Sequence, residues 1–180
     1  AKAAAVVSAP AVGEMNAKCT EPISFKAFAF FGDFADYSFA PGGSFEAGAP
    51  GWSLTNASVT TKNESLGIFA GAKSLFIKDR GRVVSPWFCV TADHPTFRYV
   101  TQGGEIEMEI DYKVTNEKDI DDKLVGETNG GAKWAPSAIH PLALKIPTAK
   151  LKKGVVARIV FEAEDDVFVD NVLVDPYRRG

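Results

Sequence analysis

Four kinds of side chain in this sequence have the capacity for chemistry: two cysteines, two histidines, many carboxylates and several large aromatics. Cys19 and Cys89 stand far apart, with no second Cys or His at metal-ligand spacing beside either, which argues against zinc. In an exported chain the economical reading is one disulfide, and closing so long a loop stabilises the fold by roughly 4 kcal/mol. The alternative is a pair of buried free thiols in a cytosolic protein. His94 and His140 each precede a proline, and such a step in a loop more often fixes a turn than presents a general base. Carboxylates are numerous enough for a glycosidase pair, but nothing singles one out, and Asp121-Asp122 and Asp165-Asp166 sit in expected turns. The sequence carries no phosphate-cradling glycine loop, dinucleotide fingerprint, nucleophile elbow or zinc-protease helix. The expectation is a protein that is not an enzyme.

Sugar rings stack on exposed aromatic faces, and Trp52, Trp87 and Trp134 are the ligand-platform candidates, with Tyr99 and Tyr112 behind them. Most large aromatics of a small domain belong to its core, so each also has a packing role open to it. Lys145, Lys150, Lys152 and Lys153 form a basic stretch that reads as a solvated loop rather than a polyanion site.

The elements that must position these residues are short and strand-like. Residues 1–18 are small and Ala/Val-rich, broken by Pro10 and Gly13, and read as an extended arm outside the core; residues 19–180 form the domain. Apolar residues alternate from Ile23 to Ala29 as in a strand. Pro41-Gly42-Gly43 makes a turn, Trp52–Thr61 a strand, and Lys73–Lys78 with Val83-Val84 a hairpin around Asp79-Arg80-Gly81. Glu105 to Val114 alternates apolar and charged residues, so one face is buried and the other wet. Gly126–Lys133 reads as a loop, and Val155–Phe161 and Val167–Val174 as the last two strands. The pattern predicts an all-β fold, a two-sheet antiparallel β-sandwich of jelly-roll type with an N-terminal arm.

At 180 residues one core can absorb the chain. A net charge of -3 gives no general attraction to phosphate backbones or anionic lipids, and no apolar run is long enough to cross a bilayer. Nucleic-acid binding and membrane insertion are therefore not expected. The start at Ala1, without an initiating Met, predicts a chain matured by signal-peptide removal, hence secreted, extracellular or at the cell surface.

Several stretches together carry a resemblance: Pro41-Gly42-Gly43-Ser44-Phe45-Glu46, Gly51-Trp52-Ser53-Leu54, Asn63-Glu64-Ser65, Lys73-Ser74-Leu75, Ser85-Pro86-Trp87-Phe88-Cys89-Val90, His94-Pro95-Thr96-Phe97-Arg98 and Val169-Asp170-Asn171-Val172-Leu173-Val174-Asp175-Pro176-Tyr177-Arg178-Arg179. From about Cys19 onward the chain resembles a family of uncharacterised secreted actinobacterial proteins. More loosely, the order of elements is similar to the jelly-roll domains of carbohydrate-binding modules. That resemblance implies a structural calcium at the junction of an early Phe-Glu strand and a late Asp-bearing strand, with Glu46 and Asp170 as its carboxylate ligands. The rival reading has both satisfying strand-end backbone donors or pairing with Arg.

Two functions follow. The first is an extracellular structural subunit that self-associates into a pilus-like filament by donor-strand complementation, its arm (Ala3, Ala5, Val6, Val7 and Val12) supplying a strand to a neighbouring copy. The alternative is a carbohydrate-binding jelly-roll module without catalytic activity, whose partner is a glycan. Fold alone does not choose between them.

Overall fold

The structure, a computed structural model, describes residues 13–20 and 22–176. Among them run β1 (Ser38–Phe39), β2 (Ser53–Thr60), β3 (Ser74–Val84), β4 (Phe88–Val90), β5 (Thr96–Gly103), β6 (Glu105–Val114), β7 (Asp121–Asn129), β8 (Ala135–Pro136), β9 (His140–Pro141), a one-turn α1 (Thr148–Leu151), β10 (Val155–Ala163) and β11 (Val167–Val174). All named strands pair antiparallel in one sheet that curls into two layers. The first layer is β7-β6-β10, continued by β4 and the end of β3; the second is the start of β3, then β11, β5 and the short β8 and β9.

β3 holds the two layers together. Its Leu75, Phe76 and Ile77 pair with Val169, Phe168 and Val167 of β11, whereas its Arg82, Val83 and Val84 pair with Glu162, Phe161 and Val160 of β10. The hairpin expected around Asp79-Arg80-Gly81 is therefore one bent strand, with β2 beside it along both halves. At the bend the register of β2 shifts between Thr55 and Ala57, and Asn56 and Arg80 take φ of 51 and 63. Any side chain on Gly81 would come within 2.7 Å of the Asn56 carbonyl, so the bend needs glycine there.

The alternation in β6 holds: Ile106, Met108, Ile110 and Tyr112 are buried between the layers against Ile159 and Phe161 of β10 and Leu75, Val167 and Val169 of the second layer. Each such side chain contributes roughly 1.5–3 kcal/mol by leaving water. The segment from Ile23 to Ala29, expected as a strand, makes only a single bridge from Phe25 to Tyr37 before a 3-10 turn at Ala29–Phe31. It lies over the outer side of the second layer, where Phe28, Tyr37, Phe39, Leu173 and Trp134 form a second, smaller core. Its periodicity marks that half-covered packing rather than membership of the sheet.

The donor residues Ala3, Ala5, Val6, Val7 and Val12 lie outside the described residues. Residues 13–16, placed in the arm by the sequence reading, are part of the domain. Gly13 donates to the Ile23 carbonyl, Met15 donates to Phe39 at 2.7 Å, and the Met15 side chain is only 3% exposed. Residues 13–16 thus pack with the sandwich. Cys19 and Cys89 form the disulfide, and the Cys89 amide donates to Asn16 at 2.8 Å beside it.

Candidate functional site

Alternation in β6 turns Glu107, Glu109, Asp111 and Lys113 away from the core, on the outer face of the first layer. Neighbouring strands add Arg158 and Glu162 from β10 and Arg82 from β3. Arg82 Nε meets Glu162 at 3.1 Å and its Nη2 meets Glu109 at 3.3 Å, while Arg158 Nε meets Asp111 at 2.8 Å. Asp111 is 6% exposed although it points outward, because the Arg158 guanidinium lies against it. These pairs hold flat, charged forks in fixed orientations, ready to make paired hydrogen bonds with a polyol.

Trp87 stands half-buried on this face, just before β4. The Arg158 guanidinium sits 4.4 Å from its ring centre and the Lys113 ammonium 5.3 Å away, both within cation–π range. Toward the other end of the face is a cavity of about 330 Å³ bordered by Arg80, Arg82, Glu107, Glu162 and Glu164. There Glu105, Glu127 and Glu164 bring oxygens within 4.8 Å of one another. The Glu164 charge, followed by weaker effects, raises the Glu105 carboxyl above its ordinary range, and burial and neighbouring glutamates raise Glu107.

The other two platform candidates are core residues. Trp52 is 8% exposed, packs edge-on to Phe45 at 5.1 Å, and donates from Nε1 to the Pro41 carbonyl at 2.7 Å. Trp134 is 6% exposed and lies against Phe168 in the smaller core. Tyr99 and Tyr112 are buried as well. Trp52→Phe keeps the ring packing but leaves the Pro41 carbonyl without its donor. We expect a loss of about 1 kcal/mol, seen as a fall of about 2–4 °C in thermal midpoint, with ligand binding unchanged.

His94 closes a turn, whereas His140, expected in a loop, belongs to β9 and pairs with Phe97 of β5. His94 Nδ1 accepts the Thr91 amide at 2.9 Å. His140 stacks on Tyr99 with ring centres 5.8 Å apart, its Nε2 lies 3.2 Å from the Thr128 hydroxyl, and burial, aided by Arg98, depresses its pKa to about 4. Between that value and the ordinary 6.5, the unfolded chain binds a proton at this position and the folded chain does not. The His140 contribution is thus fully present above about pH 6.5 and is lost as pH falls toward 4, on the order of 2–3 kcal/mol in all. Asp175, whose carboxyl burial raises to about 6, acts with the opposite sign over part of the range. The check is accordingly the difference between the stability curves of wild type and His140→Gln: the variant is flatter below pH 6.5.

Glu46 and Asp170 occupy a third region, joined by Glu64. Asp170 is fully buried; its Oδ1 accepts the Asn171 amide at 2.8 Å and its Oδ2 the Glu64 amide at 3.2 Å. Burial, with the Glu64 and Glu46 charges adding, pushes its carboxyl up to about 8. Glu46 accepts main-chain hydrogen bonds from Ala72 and Lys73, and Glu64 from Leu66, Ile68 and Phe69. Both carboxylates expected as metal ligands thus do satisfy backbone donors. The oxygen-rich donor set is also of the kind calcium takes, and the buried Ser74 hydroxyl, on the strand paired with that of Asp170, has no hydrogen-bond partner.

No family model matches the chain, and no curated protein does, so the comparisons give no support to the resemblance to secreted actinobacterial proteins. Among solved structures, the chain is similar to the CBM22-1 xylan-binding domain of Paenibacillus barcinonensis, with TM-score 0.51 and 12% identity, over 76% of this chain and 93% of that one. It is also similar to the CBM22-1 and GH10 modules of the Clostridium thermocellum endo-1,4-beta-D-xylanase 10B complexed with xylohexaose, with TM-score 0.50 and 12% identity, over 76% of this chain but 28% of that one. At that identity the likeness is one of fold: this chain has the antiparallel jelly-roll sandwich found in carbohydrate-binding modules.

Proposed function

We propose that the protein is an extracellular, non-catalytic glycan-binding module whose ligand lies along the outer face of the first layer, with one sugar ring against Trp87. The observation that carries this reading is the sorting of the three tryptophans: two are core, and the third stands on a face of paired charged forks. A pyranose offers an apolar C–H face for the ring and a rim of hydroxyls for Arg82, Glu109, Asp111 and Arg158. The neighbours of like fold are carbohydrate-binding modules, and a disulfide suits an oxidising compartment. Isothermal titration with xylohexaose, β-1,4-galactotriose and a panel of other neutral and charged oligosaccharides tests it. Saturable binding to at least one glycan supports the reading, and failure across the panel ends it.

The donor residues of the filament reading lie before Gly13, outside the described residues, and the carbohydrate-binding modules of like fold favour the glycan reading over it. A calcium ion held by Asp170 with Glu46 and Glu64 is proposed as a structural partner of the same domain. The combination that favours it is a fully buried aspartate with two further carboxylates, Glu46 and Glu64, acting on it, and the unpartnered Ser74 hydroxyl on the paired strand. In calcium at a hundred times its dissociation constant, stability rises by about 2.7 kcal/mol over a chelator control. Magnesium does not reproduce the rise, and Asp170→Asn abolishes it; equal midpoints in calcium and chelator would rule the ion out.

A further inference from the structure

We infer that the ligand is a neutral glycan chain carrying an isolated uronic acid, whose carboxylate pairs with Lys113 while its ring rests on Trp87; this rests on the glycan-binding reading of the same face. The charges of that face are unevenly spread. At the Trp87 end there are two cations, Arg158 and Lys113, and only Arg158 has a carboxylate partner, Asp111. Asp122, opposite Asp111 on β7, is exposed and makes no ion pair with Lys113. The Lys113 ammonium is thus held over an aromatic ring without a counter-ion among the described residues. A carboxylate on the C5 position of a ring stacked on Trp87 would supply one and make a charge-assisted hydrogen bond.

The far end excludes the simpler choice of a polyanion. There Glu105, Glu107, Glu127, Glu162 and Glu164 gather beside Arg80 and Arg82, and Arg82 is already paired with Glu109 and Glu162. A chain with an acid on every ring would carry negative charge into that cluster, where repulsion falls within a screening length of several carboxylates at once. Sugar hydroxyls, by contrast, donate hydrogen bonds to those same oxygens. One acid at one end of an otherwise neutral chain is the pattern that satisfies both ends of the face.

Three oligosaccharides of matched backbone length test this by calorimetric titration at low salt: a neutral xylo-oligosaccharide, the same chain with one glucuronic acid branch, and an oligogalacturonate. The branched probe should bind about tenfold tighter than the neutral one, the oligogalacturonate weakest of the three. Lys113→Gln should erase the difference between branched and neutral probes, and added salt should shrink it. Equal affinity for branched and neutral probes, both lost in Trp87→Ala, would overturn this inference and leave the binding face in place. Tightest binding to the oligogalacturonate would also overturn it. Binding to none of the three would overturn this inference while the wider panel decides the glycan reading, and binding unaffected by Trp87→Ala would remove the glycan-face reading and this inference with it.

Discussion

Trp87→Ala is expected to weaken glycan binding by about a hundredfold, a loss of ~3 kcal/mol of the size seen when a central aromatic anchor is truncated. The ring is half-buried on the outer face, not in either core cluster, so its removal leaves the sandwich intact. The substitution takes away the apolar platform and, with it, the surface that holds Arg158 and Lys113 in place. The variant should therefore fold with a near-native circular dichroism spectrum and thermal midpoint while calorimetric affinity collapses. Retained affinity in a well-folded Trp87→Ala protein would contradict the assignment of the site.

The paired substitution Cys19→Ser with Cys89→Ser is expected to cause the largest stability loss. The bond closes a loop of sequence separation 70, for which the chain-entropy model gives roughly 4 kcal/mol. For a domain of this size that is a fall of roughly 8–16 °C in thermal midpoint. Cys89 belongs to β4, paired through Val156 to β10, and Cys19 follows the segment that delivers Met15 to the core. Cutting the bond thus frees the segment from its covalent anchor and leaves its main-chain hydrogen bonds, among them Cys89 to Asn16 and Met15 to Phe39, and the buried Met15 side chain to hold it. Scanning calorimetry of oxidised wild type against the double variant measures this directly; identical midpoints would show that the tether contributes nothing.

Much of the framework was legible in the sequence because one face of most strands is buried. Glu105 to Val114 alternates so regularly that its buried face could be named in advance, and the last two strands are rich in β-branched and aromatic residues, broken only by Arg158 and Glu162 in one and Asp170-Asn171 in the other. β7 was missed because Asp121–Asn129 is a charged edge strand in which Val125 is the one buried residue, so its periodicity is nearly silent. The bend of β3 was misread as a hairpin because Asp79-Arg80-Gly81 has turn chemistry; only the pairing of its two halves to different layers shows that the strand continues.

The site was less legible. Trp52, Trp87 and Trp134 cannot be ranked by local pattern, since what separates them is tertiary: Phe45 and the Pro41 carbonyl take Trp52, and Phe168 takes Trp134. The charged residues of β6 announced a wet face, but their partners Arg82, Arg158 and Glu162 come from strands distant in sequence. Glu64 carried no periodic signal at all, because it folds back onto the amides of its own loop.

The most direct test of the glycan face is a nitrogen-15 NMR titration with whichever oligosaccharide binds, following the indole signals of the three tryptophans. The Trp87 indole should shift together with amides of β6 and β10, while the indoles of Trp52 and Trp134 stay in place. Movement of the Trp134 indole with amides around Phe76 and Phe168, on the opposite layer, and none at Trp87, would contradict the account.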